Sequence, residues 1–302
     1  MKYNLNFVNY FIKFNILSSI LVLVSLIFIF FKGLNYGIDF KGGTLIEIRL
    51  ENKDLRVLDI RDSLKKLNLG DINVKNFGED SDFLIKIEEK LNDNEVLISK
   101  IKNTLNQDLN EEINYRRVES VGPKVSAELL KSGVISIGLA LLMMLFYIWF
   151  RFEWQFSLGS IIAIFHDVLI TIGLFSFLSL EINLSIVAAV LTIVGYSMND
   201  TVVIYDRIRE NLSKFSSLKI DEITNLSINE TLSRTVITSF TTLLALVSIF
   251  ILGGEILRGF ALAMIFGVII GTYSSIFVAS PILKYLNVSY KTVAKDKNLN
   301  KN

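Results

Sequence analysis

Ionisable and polar side chains interrupt several long apolar stretches of this chain, and their types and spacing could support proton chemistry. Asp200 lies beside Ser197, Asn199 and Thr201, inside an apolar run from residue 184 to residue 205. That run is long enough to cross a bilayer. A carboxylate there costs roughly 2.5–3.5 kcal/mol on insertion scales, so it usually faces other helices, pairs with a cation or carries an ion. Asp200 is therefore the first functional candidate.

Arg234 is the natural partner for Asp200. Asp200 lies about five residues, or roughly 8 Å, from one end of its helix, and Arg234 enters the next predicted helix from that same side. An extended arginine can cover this difference, so the two groups can meet if their helices are neighbours. The alternative is that the long side chain of Arg234 only reaches out to the lipid headgroups.

His166 and Asp167 lie near the centre of another predicted span, residues 155–177. Adjacent helical residues project about 100° apart, so both cannot face one neighbour squarely. One of the pair can pack while the other functions. For His166, simple packing as a neutral imidazole against a neighbouring hydroxyl is an equal alternative. A carboxylate is costlier to leave unpaired, which makes packing a weaker explanation for Asp167.

The composition describes two kinds of sequence in one chain. Of its 302 residues 51% are hydrophobic, yet 20% are charged, and the charges concentrate between residues 32 and 131. This pattern is typical of an integral membrane protein with one inserted soluble domain. The chain has no cysteine and one histidine, which excludes thiol chemistry and argues against a zinc site. We expect no cofactor, no metal and no nucleic-acid partner.

The apolar runs predict an α-helical membrane protein with six transmembrane helices. The first run exceeds a signal-peptide core and lacks a small-residue cleavage site, so it is predicted to remain as a helix. The sixth carries small residues at four-residue spacing, at Ala263, Gly267, Gly271 and Ser275, which permits close helix approach, and it is expected to end at Pro281. The predicted spans are residues 14–31, 133–150, 155–177, 184–205, 233–252 and 259–280, with cytoplasmic segments at 1–13, 206–232 and 281–302.

Residues 32–132 predict a ferredoxin-like α+β domain. Alternating and helical patterns follow one another as strand, helix, strand, strand, helix, strand, over residues 44–50, 54–67, 72–77, 83–88, 94–109 and 112–118. The charged residues of this domain are expected to form a solvated surface. The glycines between residues 37 and 44 serve either as a linker or as a specific docking element. Pro123 is placed to open a helix, whose residues 125–131 are expected to lie on the membrane surface.

Orientation follows from lysine and arginine in the short loops, which favour the cytoplasm. Residues 179–183 contain no basic residue, and residues 253–258 contain only Arg258. Both termini are therefore predicted to be cytoplasmic, and residues 32–132 extracytoplasmic. The basic residues of the opposite side are Lys2, Lys13, Arg151, Arg207, Arg209, Lys214, Lys219, Lys284, Lys291, Lys295, Lys297 and Lys301.

Five blocks, in order between Asn35 and Pro281, carry a family resemblance. They read G-I-D-F-K-G-G-T at 37–44, V-G-P at 121–123, F-H-D-V at 165–168, G-Y-S-M-N-D-T-V-V-I-Y-D-R-I-R-E-N at 195–211 and R-T-V-I-T-S at 234–239. The sequence resembles the SecF family of RND-type bacterial protein-export membrane subunits. The long fourth block is the most specific part of the match. The tail after Tyr290 carries no matching motif.

The resemblance implies half of an RND-type transporter in the cytoplasmic (inner) membrane, paired with SecD as the other six-helix half. Such a complex associates with the SecYEG channel and uses the proton gradient to complete export of unfolded preprotein after the stage driven by SecA. Asp200 and Arg234 match the family's proton-relay positions, while a further relay aspartate belongs to SecD. His166, Asp167, Asn199 and Ser197 remain candidates for coupling or for packing. The implied role is that of a lipid-embedded motor subunit, not an enzyme.

Two alternatives remain open. An RND-type small-molecule exporter would normally carry both six-helix halves in one chain and much larger exported domains. A scaffold that transports nothing would make the intramembrane charges dispensable.

Overall fold

The structure, a computed structural model, describes residues 5–51, 56–67, 72–77, 79–88, 94–109 and 113–293. The chain divides into two compact units. The first, here called the membrane unit, comprises Met1–Asn35, Ser136–Leu180 and Ser185–Asn302. The second, the sheet unit, comprises Tyr36–Ile135 and Glu181–Leu184.

The regular elements alternate between long apolar helices and short mixed elements. In chain order they are α1 (Phe11–Phe31), β1 (Asn35–Tyr36), α2 (Ile38–Lys41), β2 (Gly43–Arg49), α3 (Val57–Lys65), β3 (Ile72–Phe77), β4 (Glu79–Ile87), α4 (Asn94–Leu109), β5 (Asn114–Val121), α5 (Pro123–Arg151), α6 (Trp154–Leu178), β6 (Glu181–Ile182), α7 (Leu184–Lys214), α8 (Ile220–Leu252), α9 (Gly254–Ser274) and α10 (Ser280–Tyr285).

Six helical segments of the described chain are long and apolar enough to cross a membrane, which confirms the predicted number. They are α1, α5, α6, α7, α8 and the run from α9 to α10. The helices α7 and α8 extend well beyond the predicted spans, to Lys214 and from Ile220. The predicted connection at 206–232 is therefore mostly helical.

The structure confirms one predicted helix boundary and changes another. Pro123 opens α5, which is one continuous helix to Arg151 and includes residues 125–131; the place of those residues on the membrane surface stays a prediction. Proline at the first helical position has no N–H to leave unpaired and has its φ preset for a helix. The expectation that Pro281 ends the last helix is wrong. A π-helical turn at Ser275–Ala279 precedes it, and helix α10 continues to Tyr285.

The π turn provides a physical reason for that continuation. A proline inside a regular α-helix removes one hydrogen bond and clashes with the carbonyl four residues earlier. A π turn changes this local bonding pattern, and Pro281 stands at the start of the next helical segment. The hydroxyl of Ser280 donates to the carbonyl oxygen of Ser275 at 2.8 Å. That bond satisfies a backbone acceptor within the altered turn.

The sheet unit has the predicted ferredoxin-like topology. Its four strands follow the order β3-β4-β2-β5, and the neighbouring strands are antiparallel. Ile46 of β2 pairs with Ile85 on one side and Val118 on the other. The residues that form the core come from these strands and from α3 and α4, and include Ile46, Ile48, Ile60, Leu64, Val74, Phe83, Ile85, Ile87, Ile101 and Leu105. The short strands β1 and β6 form a separate two-stranded sheet.

Gly43 explains part of the glycine-rich segment between residues 37 and 44. Its φ is +123°, and a Cβ at this position would lie 2.4 Å from the carbonyl oxygen of Ile87. Both the backbone conformation and the close approach of β4 exclude a side chain there. Within the same unit, Asp39 accepts a hydrogen bond from the backbone N–H of Leu184 at 2.9 Å. The segment therefore makes specific contacts and is more than a flexible linker.

A buried ion cluster departs from the expectation of a solvated charged surface. Asp82 is only 4% exposed, and Arg49 donates to both of its carboxylate oxygens, at 2.5 and 2.7 Å. Arg116 adds a third contact at 3.1 Å. The hydrogen bond from Arg49, helped by the charges of Arg116 and Arg49, holds the pKa of Asp82 below its usual range despite burial. The two arginines therefore favour the ionised form of this carboxylate.

Candidate functional site

Asp200 lies inside the membrane unit, where α7, α8 and α9 converge. Asp200 is only 2% exposed. Thr272 of α9 donates a hydrogen bond from Oγ1 to Asp200 Oδ2 over 3.3 Å. The same threonine hydroxyl lies 2.7 Å from the hydroxyl of Ser239 on α8. Asp200 is thus buried, and a threonine hydroxyl is its hydrogen-bond partner.

Arg234 lies near Asp200 without bonding to it directly. Its positive charge is close enough to act on the Asp200 carboxylate, but among the described residues no ion pair within 4.0 Å joins the two. Arg234 is exposed on α8. The direct pair stays a prediction that requires a movement of the arginine side chain.

The helices that carry Asp200 and Arg234 are neighbours, as the predicted pairing requires. Near the loop that joins them, Asn211 of α7 donates to the hydroxyl of Ser227 on α8 at 3.0 Å. Arg207 forms an ion pair with Glu230 at 2.6 Å. These contacts join α7 to α8 on the loop side of Asp200, and so place Arg234 on the helix next to it.

Asp167 forms a second polar site within the membrane unit. It is fully buried, and its Oδ2 accepts hydrogen bonds from the hydroxyls of Ser197 on α7, at 2.5 Å, and Ser274 on α9, at 2.8 Å. Its Oδ1 lies 2.8 Å from His166 Nδ1. One carboxyl group therefore links three membrane helices, α6, α7 and α9.

His166 contacts both Asp167 and helix α9, although the two residues are adjacent on α6. Its ring stacks on Tyr273 with centroids 6.2 Å apart. The Nε2 atom is buried without a hydrogen-bond partner among the described residues. The Tyr273 hydroxyl lies 2.8 Å from the Ser18 hydroxyl of α1 and donates to the carbonyl oxygen of Phe14 at 2.7 Å. The imidazole thus lies between Asp167 and a tyrosine that bonds to α1.

The other predicted candidates on α7 separate into two groups. Ser197 is buried and bonds to Asp167. Asn199 is exposed on the opposite side of the same helix and does not join these contacts among the described residues. A helix turns about 100° per residue, so residues two apart lie on nearly opposite faces.

The stripe of small residues on α9 packs against α7, as its spacing predicted. A Cβ at Gly267 would lie 2.4 Å from Ile193 Cδ1, and a Cβ at Gly271 would lie 3.0 Å from Ser197 Cβ. Ser275 belongs to the same stripe, and its hydroxyl also lies 2.8 Å from the hydroxyl of Thr201 on α7, within hydrogen-bond distance. The close approach of these helices is what brings the hydroxyl groups of α9 within reach of Asp167 and Asp200.

Three hydroxyl residues of the site were not predicted: Ser239, Thr272 and Ser274. Serine and threonine are common in membrane helices, where they often bond to their own backbone, so their presence alone is a weak signal. Ser274 and Thr272 lie beside the small-residue stripe, and this location is the one pattern that points to them.

Chemically, the site offers two buried carboxyl groups with hydroxyl partners. A hydroxyl can donate to a carboxylate and can also accept from a protonated acid. Such a setting tolerates both protonation states, unlike a fixed ion pair. Among the described residues, no group of three or more histidine, cysteine, aspartate and glutamate side chains could hold a metal ion. Because hydroxyl partners tolerate both protonation states, the two carboxyl groups suit proton uptake and release.

The fold and the site define a multi-pass membrane protein with one ferredoxin-like domain between its first two membrane helices. The family "Protein export membrane protein SecD/SecF, C-terminal" matches residues 101–289, and "SecD/SecF GG Motif" matches residues 27–54. This chain belongs to the SecD/SecF family of protein-export membrane proteins.

Individual relatives agree with that family membership. The "Protein translocase subunit SecF" of Rickettsia rickettsii is 48% identical over 271 residues, covering 88% of this chain and 86% of the relative. The protein of that name from Rhodobacter capsulatus is 43% identical over 297 residues, covering 92% and 88%.

A solved structure is similar in both sequence and fold. The crystal structure of SecDF from Thermus thermophilus, described as a translocon-associated membrane protein, has a TM-score of 0.83 and 36% identity. It covers 94% of this chain, while the chain spans only 39% of the SecDF length. The chain therefore corresponds to part of that larger protein.

Proposed function

We propose that this chain is the SecF-type subunit of a Sec export complex that uses the proton gradient to complete export of unfolded polypeptide across the cytoplasmic membrane. The observation that carries the proposal is Asp200, a 2% exposed carboxyl group within a membrane helix. It is bonded to a hydroxyl of the neighbouring helix and lies within reach of the charge of Arg234.

Protonation of Asp200 would change its best partner. The ionised carboxylate attracts Arg234, whereas the neutral acid is satisfied by hydroxyl groups and leaves the arginine free. Alternation between these two arrangements couples proton entry to movement of α7 against α8. One proton that crosses the membrane gains about 2.3 kcal/mol per 100 mV. That free energy can bias a domain motion repeatedly, so the role is that of a motor subunit and not of an enzyme.

A SecD-type subunit is the proposed partner in the membrane. The exposed apolar side chains of α5 and α8 support this, because these helices leave large faces uncovered in the isolated chain. The larger SecDF relative is consistent with a second half that covers them. The complex would act with the SecYEG channel, after the SecA-driven stage, on unfolded preprotein.

The proposed orientation places both termini in the cytoplasm and the ferredoxin-like domain outside. Loop charge supports it, as described above. Single cysteines at Lys65, whose side chain is 66% exposed, and at Lys297, which lies outside the described residues, should react differently with an impermeant thiol reagent. The reagent is added to intact cells with a permeabilised outer barrier, and lysed cells provide the control. Equal labelling at both positions in intact cells would overturn this topology.

Substitution of Asp200 tests the proton step directly. Asp200→Asn keeps size and polarity but removes the titratable group, so gradient-driven release of a translocated substrate from vesicles should fail while assembly with SecD persists. Arg234→Ala should fail as well. Arg234→Lys should keep part of the activity, because it retains the charge but loses the planar donor fork. Ser248→Ala on α8 is a matched control, since among the residues that the structure describes that exposed hydroxyl bonds only to the carbonyl oxygen of Leu244 in its own helix.

The release assay distinguishes the motor from a scaffold. ATP is withdrawn after the early stage and a proton gradient is imposed, and assembly with SecD is measured in parallel. A scaffold predicts that Asp200→Asn is neutral or stabilising, because burying an amide costs less than burying a charge. Normal gradient-dependent release by that variant would therefore refute the proton-relay proposal.

A further inference from the structure

The hydroxyl contacts of Asp167 lie very close to those of Asp200. On α7, Ser197 is one helical turn from Asp200, and Ser197 donates to Asp167 at 2.5 Å. On α9, Ser274 is two residues from Thr272, and Ser274 donates to the same Asp167 oxygen at 2.8 Å. Asp167 therefore holds α7 and α9 together beside the hydrogen bond between Asp200 and Thr272.

We propose that Asp167 is a positioning residue, which acts through Ser197 and Ser274 to fix the distance between Asp200 and Thr272. This inference rests on the proposed function of Asp200. Asp167 does not itself exchange the transported proton. It sets the relative position of the two helices between which that proton is bound.

Burial and helix spacing support this role. Asp167, Ser197 and Ser274 are each at most 1% exposed, so a lost hydrogen bond there would not be replaced by bulk water. The helices are already in close contact at Gly271, whose added Cβ would lie 3.0 Å from Ser197 Cβ. With so little space between the helices, the remaining freedom is sliding along their length. A carboxylate oxygen shared by one hydroxyl from each helix restrains that sliding.

A second contact on the same interface strengthens the restraint. Ser275, the first residue of the π turn that follows α9, has its hydroxyl 2.8 Å from the hydroxyl of Thr201 on α7. The 3.3 Å bond from Thr272 to Asp200 is longer than the contacts of Asp167, so a small shift between the helices changes it first. Thr272 also touches Ser239 of α8, which connects the shift to the helix that carries Arg234.

The charged and titratable groups around these two carboxyl groups come from four helices. Arg234 comes from α8, His166 from α6 and Tyr273 from α9, while α7 contributes Tyr196 one turn from Asp200. Substitution of Asp167 itself alters local charge as well as helix position. The uncharged Ser274 hydroxyl therefore provides the cleaner test.

The experiment measures protonation of Asp200 by its reaction with a hydrophobic carbodiimide, which modifies protonated carboxyl groups. The full-length chain in membrane vesicles with SecD is treated at a series of pH values, and modification of the Asp200 peptide is measured by mass spectrometry. Asp200→Asn gives the background. Ser274→Ala and Asp167→Asn are compared with Ser157→Ala, which removes a buried hydroxyl of α6 that has no hydrogen-bond partner among the described residues.

Ser274→Ala should shift the pH midpoint of Asp200 modification upward by about half a unit, or roughly threefold in proton affinity. The reason is that the Thr272 hydrogen bond, which favours the carboxylate, weakens when α9 is released. Ser157→Ala should leave the midpoint unchanged. Asp167→Asn should also shift it, whereas a purely structural role would lower the amount of assembled protein without moving the midpoint.

Two negative results have different meanings. If wild-type Asp200 titrates but the Ser274→Ala and Asp167→Asn midpoints are unchanged, the positioning role is refuted and the proposed function stands. If wild-type Asp200 shows no pH-dependent modification, the proposed proton step fails, and the positioning role fails with it.

Discussion

Two buried carboxylates, Asp82 in the sheet unit and Asp200 in the membrane unit, are satisfied in opposite ways. Asp82 is 4% exposed and receives hydrogen bonds from two arginines. Asp200 is 2% exposed and receives one from a threonine hydroxyl. The difference in partners, not in burial, separates the two sites.

This difference explains why one carboxylate suits a structural role and the other a switching role. A guanidinium group can only donate hydrogen bonds, so it favours the ionised carboxylate alone. A hydroxyl both donates and accepts, and it therefore supports either protonation state. Asp167 also has hydroxyl partners, but they come from two different helices, α7 and α9, and its proposed role is to position those helices. In the membrane unit it is the hydroxyl partner of Asp200 that is compatible with a change of charge.

The largest effect is expected when the two aspartates are changed separately in the full-length protein. Asp200→Asn should lower gradient-driven release of a translocated substrate at least tenfold, because it removes the titratable group of the proposed proton step. Asp82→Asn should leave the gradient dependence intact. The vesicle release assay measures both. A loss of gradient dependence in Asp82→Asn protein that still assembles would contradict the distinction between the two sites.

A smaller, structural effect is expected for Asp82→Asn in the sheet unit alone. A fragment of residues 36–122 contains all four strands and both main helices, so it should give a mixed α/β circular dichroism spectrum and a cooperative melt. Asp82→Asn should lower its free energy of unfolding by about 2 kcal/mol, since bonds to charged groups are worth roughly 1.5–3 kcal/mol. Urea unfolding measures this. Asp62→Asn, at an exposed ion pair, is the matched control and should change little.

The sequence predicted elements better than it predicted pair contacts. The six spans, the order of strands and helices along the ferredoxin-like domain and the burial of Asp200 follow from hydrophobic patterns, which report on local environment. The bonds from Ser274 to Asp167 and from Thr272 to Asp200 depend on how α7 and α9 are rotated and shifted, and periodicity alone does not determine this. Pro281 was misassigned for a related reason, because a local π turn altered the usual helix-breaking effect of proline.

Acid provides a further test of the sheet-unit site. The pKa of Asp82 is lowered in the folded state, mainly by Arg49. A depressed folded-state pKa gives stability above the unfolded value of about 3.9, and that stability is lost as pH falls through the folded-state value. Below about pH 4, the free energy of unfolding of the wild-type fragment should therefore fall more steeply with pH than that of the Asp82→Asn fragment. Parallel urea titrations at several pH values measure the two slopes. Equal slopes would show that Asp82 does not carry the expected stabilising charge.

The smallest effect on the free energy of unfolding is expected when the two arginines that contact Asp82 are replaced one at a time. Arg116 has a side chain that is 40% exposed and makes one contact with Asp82, at 3.1 Å, and a longer one with Glu47, at 3.9 Å. Arg49 is 31% exposed and makes two contacts with Asp82. Solvent weakens exposed ion pairs, so Arg116→Gln should cost the fragment less than about 1 kcal/mol. Arg49→Gln should cost more, because it removes a bidentate donor that glutamine cannot replace. Urea unfolding of the two variants at neutral pH compares them. A larger loss of unfolding free energy in Arg116→Gln than in Arg49→Gln would contradict this prediction. The ionised form of Asp82 would then depend mainly on the exposed Arg116, and not on the paired bonds from Arg49.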